Sequence, residues 1–215
     1  DYVNDVMIPM NALKGDELSV SAFFSDDKYP TSSGSYPTAT TQYEKRGIAV
    51  KVPSWQSANC IQCNQCSFVC PHAVIRPYLF KDVSGAPEGM EFLNATGKGF
   101  EGLKYKIQIS PLDCTGCGSC ADVCPAKEKA LVMMPLEEMT QKEVPQYKFA
   151  SENQIEENPM NKYTVKGSQF EKPYLEFSGA CGGCGETPYI KLITQLYGNR
   201  MIIANATGCT SIWGG

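Results

Sequence analysis

Two runs of cysteine carry the chemistry of this chain. One is Cys60, Cys63, Cys66 and Cys70 followed by Pro71; the other is Cys114, Cys117, Cys120 and Cys124 followed by Pro125. Both read C-x2-C-x2-C-x3-C-P. A cubane of four irons needs four thiolates converging from different directions. Three cysteines spaced by two residues can wrap one tight loop around three irons, and the fourth, past a short helical turn, points away and serves the neighbouring cluster. The spacing therefore predicts two 4Fe-4S clusters. Cys60, Cys63, Cys66 and Cys124 hold one; Cys114, Cys117, Cys120 and Cys70 hold the other. Clusters of this kind exchange single electrons. The prolines stop the helical turn and redirect the chain. Gly116 and Gly118 let backbone N–H groups approach the sulfurs, which tunes the potential.

Disulfides and structural zinc are the competing readings of eight such cysteines. No secretory segment accompanies them, and cysteines two residues apart in repeated runs suit a metal better than a disulfide framework. Structural zinc uses separated C-x2-C pairs rather than three cysteines in a row with a terminal Cys-Pro. The formal charge is -4, and two oxidised clusters with their thiolates bring it to about -8. No basic patch argues for nucleic acid: Tyr43-Glu44-Lys45-Arg46 is short and mixed in sign. No apolar run approaches a membrane span. The chain starts at Asp1 without a signal-like segment, and the thiol-rich composition points to a reducing cytoplasm.

Three cysteines remain. Cys181 and Cys184 form a C-x2-C pair among Gly179, Gly182, Gly183 and Gly185, and Cys209 lies in Ala206-Thr207-Gly208-Cys209. Three thiols are one short of a cubane, which implies a fourth ligand beyond this chain and a fragment of a longer protein. By spacing alone a zinc ribbon, a redox dithiol and a third cluster all stay open.

The elements that position these residues follow from pattern. Residues 1–46, rich in Ser, Thr, Pro and Gly around Asp26–Thr41, read as an extended arm. Residues 47–136 read as an α+β domain in two repeats of strand, cluster loop, short helix and strand. The strands are expected at Gly47–Val52, with Ile48, Val50 and Val52 alternating, at Val74–Phe80, at Tyr105–Ile109 and at Ala130–Met134. Residues 81–104 are a Gly-rich insertion. The repeat makes a pseudo-twofold sandwich of the bacterial two-cluster ferredoxin type, with so little apolar core that the clusters substitute for part of it. Residues 137–178 are polar, carry Pro145 and Pro159, and read as a linker with a helical turn at Leu136–Thr140. Residues 179–215 read as the beginning of an α/β domain. Thr187-Pro188 would start a helix with Ile190, Ile193, Leu196 and Tyr197 on its apolar face, and Met201–Ala204 would follow as a buried strand ending near Cys209.

The stretches GACGGCGETPY and NATGCTSIWGG resemble the start of the thiamine-pyrophosphate domain of the pyruvate:ferredoxin (flavodoxin) oxidoreductase family. YEKRGIAVKVPSW and the two cysteine runs resemble that family's ferredoxin-type domain. The resemblance runs nearly end to end. It implies that Cys181, Cys184 and Cys209 are three of the four ligands of a third 4Fe-4S cluster. It implies that Glu186 and Cys209 lie against thiamine pyrophosphate, whose magnesium motif is absent from these residues. It also implies oxidative decarboxylation of pyruvate with coenzyme A to acetyl-CoA and carbon dioxide. The thiamine cofactor acts as electron sink there, and electrons leave singly through the third cluster and then the other two to ferredoxin or flavodoxin. The remainder of a longer polypeptide and a homo-oligomer are the expected partners. Alternatives are a non-catalytic two-cluster relay, which has no use for GACGGCGETPY, an oxidoreductase for another 2-oxoacid, and a zinc module. The single histidine, His72, reads as a surface or supporting residue rather than a ligand. Trp55, Trp213 and Met133-Met134 read as packing.

Overall fold

A computed structural model describes residues 1–23, 37 and 39–213. The chain divides into two compact units, residues 1–45 and residues 46–215. The greater part of the Ser/Thr/Pro/Gly stretch at 26–41 lies outside the described residues.

The first unit is not simply extended, as its composition suggests. Val3–Met7 winds as a π-type helical turn that continues into α1 (Ile8–Asn11). Tyr2 and Val6, one helical turn apart, are buried against Met7, Leu18 and Phe23. Five apolar side chains suffice for a small core that a count of polar residues overlooks.

In the second unit the two repeats are present. β1 (Lys51–Trp55) leads through the first cysteine loop to α2 (Gln65–Val69) and β2 (Ile75–Phe80). After the insertion, which contributes the two-residue β3 (Leu93–Asn94), β4 (Lys104–Ile109) leads through the second loop to α3 (Ser119–Val123) and β5 (Leu131–Pro135). β1 pairs antiparallel with β5, Lys51 opposite Pro135 and Trp55 opposite Leu131. β2 pairs antiparallel with β4, Ile75 opposite Ile109, and β3 adds to β4. Exchanging the halves maps β1 onto β4 and β2 onto β5, so each pair of strands maps onto the other. The α+β fold expected from the repeat is the fold observed.

The first strand begins later than its alternation suggests. Ile48 and Val50 are 64% and 84% exposed, whereas Val52 is fully buried. The ladder with β5 runs from Lys51 and fixes the register there.

The expected linker is folded. α4 (Leu136–Asn153) is an 18-residue helix that runs through Pro145. It buries Met139, Glu143, Gln146 and Ala150, a single stripe at i, i+4, i+7 and i+11. Two members of the stripe are polar, so apolar counting misses it. Glu143 accepts from Gln108 Nε2 at 2.6 Å, and Phe149 stacks on Phe80 with centroids 5.9 Å apart. β4 is thus covered on both faces, Gln108 toward α4 and Tyr105, Ile107 and Ile109 in the main core. Residues 154–178 continue over the same unit. Ile155 N–H donates to Leu79 O at 2.9 Å. α5 (Val165–Ser168) is capped by Thr164, whose hydroxyl accepts from Gly167 N–H at 3.0 Å.

α6 (Thr187–Tyr197) forms where Thr187-Pro188 predicts it, but with the opposite face inward. Thr187, Lys191, Thr194 and Gln195 are buried, while Ile193 and Tyr197 are exposed. The inward side chains answer polar groups: Gln195 Nε2 donates to Glu171 O at 3.0 Å, and Gln195 Oε1 accepts from Gln169 Nε2 at 3.2 Å. Met201–Ala204 is not a strand. These residues have no regular structure and Ile202 is fully exposed; no strand among the described residues offers them a ladder. α7 (Cys209–Trp213) follows. Of the expected α/β domain, the described residues contain helices only. Among them no helix is long and apolar enough to cross a membrane.

Candidate metal centres

The two cysteine loops have one backbone conformation. In the second, Gly116 and Gly118 have φ of 72° and 80°; in the first, Gln62 and Asn64 occupy the equivalent positions with φ of 57° and 61°. Left-handed φ costs an L-residue about 1–2 kcal/mol, so the first loop must be held by other contacts. Gln62 Nε2 donates to Asn94 O at 2.8 Å, and its Oε1 accepts from Thr96 N–H at 3.0 Å. Asn64, 1% exposed, donates to Lys166 O at 2.9 Å and accepts from Tyr105 Oη at 2.7 Å. Replacing Asn64 by Ala strands the Tyr105 hydroxyl and the Lys166 carbonyl and loses the residue type best suited to left-handed φ. We expect a loss of about 2–4 kcal/mol, read as a lower midpoint in denaturant.

The short helices end where the following proline requires. Cys70 and Cys124 leave α2 and α3 with extended ψ of 119° and 118°, the conformation a residue before proline favours. That step carries each of them toward the other loop. One cavity is lined by Cys114, Cys117, Cys120 and Cys70, with Pro71, His72 and Pro53. A second is lined by Cys60, Cys63, Cys66 and Cys124, with Trp55, Tyr105 and Ile107. These are the two crossed quartets expected from spacing. Among the described residues no three His, Cys, Asp or Glu side chains close on a single metal ion. A thiol set spread around a cavity suits a multi-iron cage better than one tetrahedral ion.

The cavity walls are mostly apolar, with a few hydrogen-bond donors. Gly116 N–H donates to Cys114 Sγ at 3.3 Å. The Trp55 indole N–H is buried without an ordinary hydrogen-bond acceptor and lies close enough to Cys60 to favour its thiolate. Burial nevertheless dominates: it pushes the Cys60, Cys66 and Cys120 thiols up and Cys114 to about 12. A set of buried thiolates is unfavourable without a cation among them, and iron would supply one. These residues fit a cluster in each cavity. Gly116 itself is fixed by φ and by crowding, since a Cβ there would sit 2.8 Å from Lys51 O. Gly116→Ala should shift that loop, cost about 1–3 kcal/mol, and deplete iron from the Cys114 quartet first, as measured by iron content.

His72 is buried rather than on the surface. Its Nδ1 lies 3.2 Å from Ser178 O, and desolvation lowers its pKa. The remaining cysteines are less enclosed. Cys181 and Cys209 are exposed and Cys184 is half-buried, and none of the three lines either cavity. Cys184 lies at the start of α6, where the Thr187 and Glu186 backbone N–H groups lower its pKa. The loop between Cys181 and Cys184 packs on the second cysteine loop: added Cβ atoms on Gly182 and Gly183 would lie 3.5 Å from Thr115 and from Cys117 Cβ respectively. Glu186 is exposed, and neither it nor Cys209 lines either of these two cavities.

Lys191 escapes a reading of motifs. It reaches from α6 to the end of α2, where Nζ donates to Ser67 O, to Cys70 O at 3.1 Å and to Phe68 O at 3.3 Å. Burial pushes its pKa down to about 8, partly offset by Cys70 and Cys66. Its only sequence signal is a cation i+4 from Thr187. The left-handed positions at Gln62 and Asn64 could have been found by aligning the first run on the glycines of the second.

The folded repeat, with a four-cysteine cavity in each half, defines a ferredoxin-like α+β domain. A family model described as a 4Fe-4S dicluster domain matches residues 59–128, and one described as a domain of unknown function matches residues 1–49. Over its whole length the chain is homologous to a segment of the pyruvate:ferredoxin and pyruvate-flavodoxin oxidoreductases. It is 63% identical to "Pyruvate:ferredoxin oxidoreductase" of Moorella thermoacetica, across 100% of this chain and 18% of that protein. It is 54% identical to "Pyruvate-flavodoxin oxidoreductase" of Enterobacter agglomerans, across 99% and 18%. "Pyruvate dehydrogenase [NADP(+)], mitochondrial" of Euglena gracilis is 48% identical, across 100% and 12%. The chain thus spans less than a fifth of the length of the curated relatives it matches.

Proposed function

We propose that this chain is the electron-relay segment of a 2-oxoacid oxidoreductase that oxidatively decarboxylates pyruvate with coenzyme A. The observation that carries this reading is the pair of crossed four-cysteine cavities, together with homology to a segment of pyruvate oxidoreductases. Cys60, Cys63, Cys66 and Cys124 hold one 4Fe-4S cluster, and Cys114, Cys117, Cys120 and Cys70 a second. Cys181, Cys184 and Cys209 give three ligands of a third, with a fourth from the rest of the parent polypeptide. Each cluster supplies one-electron chemistry. The protein's part is to bury the sulfurs, to aim Gly116 N–H at Cys114, and to fix the clusters close together. The thiamine pyrophosphate and Mg2+ of the reaction fall mostly to residues outside this chain. Glu186 and Cys209 are the two positions here assigned to its neighbourhood.

The packing of Gly182 and Gly183 on Thr115 and Cys117 supports an order. Of the two quartets, the one with Cys114 and Cys117 would hold the cluster nearer the Cys181–Cys184 loop, and the one with Cys60 and Cys63, beside exposed Ile61, would hold the cluster that serves ferredoxin or flavodoxin. The test is electron paramagnetic resonance on the anaerobic parent protein before and after pyruvate and coenzyme A. Reduced-cluster signals that appear with substrate support the reading. Signals that appear only with a chemical reductant remove pyruvate as the donor.

A further inference from the structure

We propose that Lys191 is a fixed positive charge shared by both clusters of the two-cluster fold, and that it raises the reduction potential of each. This rests on the iron–sulfur assignment above. Lys191 is 1% exposed. Its ammonium donates to three carbonyls, Ser67 O, Phe68 O and Cys70 O, at the end of α2. Among the described residues it has no carboxylate partner. A buried ammonium answered only by peptide carbonyls is costly unless another anion lies nearby.

The anions it faces are identifiable. Cys66, on α2, belongs to the Cys60 quartet, and Cys70, at its end, belongs to the Cys114 quartet. Both thiols are its electrostatic neighbours. Arg76 is the other cation acting on it among the described residues, and Arg76 pairs with Glu176 at 4.0 Å. A loaded cluster gains one negative charge on reduction, and net charge is one of the quantities that set its potential. A cation held beside one ligand of each cluster favours the reduced form of both. Because Lys191 sits on α6 and its acceptors on α2, the same contact ties the segment bearing Cys181 and Cys184 to the relay.

The experiment is an anaerobic redox titration of the full parent protein, followed by electron paramagnetic resonance, with iron and sulfide measured on every sample. Lys191→Gln keeps a donor but removes the charge, Lys191→Met removes both, and Lys191→Arg keeps the charge. The Gln and Met variants should lower the reduction equilibrium constant of both clusters about tenfold, equivalent to about 59 mV for a one-electron couple. Arg should leave both near wild type. Full clusters with unchanged potentials in Gln and Met overturn the proposal, as does an equal fall in Arg. Loss of iron in Gln and Met but not in Arg overturns it as well, since Lys191 would then hold the clusters in place rather than set their potentials. Loss of iron in all three makes Lys191 a packing residue and overturns it. Wild-type protein without iron and sulfide instead refutes the iron–sulfur assignment itself.

Discussion

Cys124→Ser should abolish the cluster held by Cys60, Cys63 and Cys66 and spare the one held by its own run. The reason is local and steric. Cys124 leaves α3 with extended geometry imposed by Pro125, and its thiol lines the cavity of the first loop. Cys70 does the reciprocal under Pro71. Each single variant should lose about four irons per chain, one cubane. Pairs of variants decide between crossed and uncrossed ligation. Cys124→Ser with Cys63→Ser should lose no more iron than either alone, since both strike one cluster. Cys124→Ser with Cys117→Ser should lose about eight. Uncrossed ligation reverses these two results. The non-additivity is the informative quantity, because residues serving one centre do not contribute independently.

Removing iron from the holoprotein should cost more stability than any single substitution. The main core is built around the two cavities: Cys66, Cys70, Cys114 and Cys120 are themselves core residues beside Val52, Ile75, Tyr105 and Ile109. Metal-dependent domains commonly draw about 10 kcal/mol or more from their metal, which exceeds the usual net stability of a domain. The iron-free chain should therefore lose cooperative unfolding and gain exposed apolar surface. What structure it keeps should weaken further with alkali. Burial raises the Cys60, Cys66 and Cys120 thiols, and Cys114 to about 12, against about 8.5 in an unfolded chain. Between those values the unfolded chain has released protons that the folded chain still holds, so stability falls as pH rises. Circular dichroism of the chelated protein should decline from pH 8 to pH 10, while the loaded protein, its sulfurs already bound as thiolates, should not follow this trend.

What could be read in the residues was the chemistry and the repeat. Eight cysteines at fixed spacing specify their own neighbours, and the strands at Ile75–Phe80, Lys104–Ile109 and Leu131–Pro135 lie within a residue of their expected ends. What escaped was structure built on buried polar groups. α4 hides Glu143 and Gln146, and α6 turns Lys191, Thr194 and Gln195 inward. Hydrophobic periodicity finds a helix's core face only when that face is apolar. Where Gln108 answers Glu143, or three carbonyls answer Lys191, the signal is pairwise and long-range. The expected strand at Met201–Ala204 failed for the opposite reason. Its residues are apolar enough, but a strand needs a neighbouring strand, and the described residues provide none. The small core of residues 1–45 was masked by a polar stretch beside it.

Two four-iron clusters on crossed cysteine quartets, as proposed for this fold, can be counted. The most direct measurement is iron and acid-labile sulfide content of the anaerobically prepared protein, with electron paramagnetic resonance after dithionite reduction. A two-cluster domain should give about eight irons and eight sulfides, and a reduced spectrum broadened by magnetic coupling between neighbouring clusters. Zinc without sulfide, or about four irons with an uncoupled signal, would contradict it.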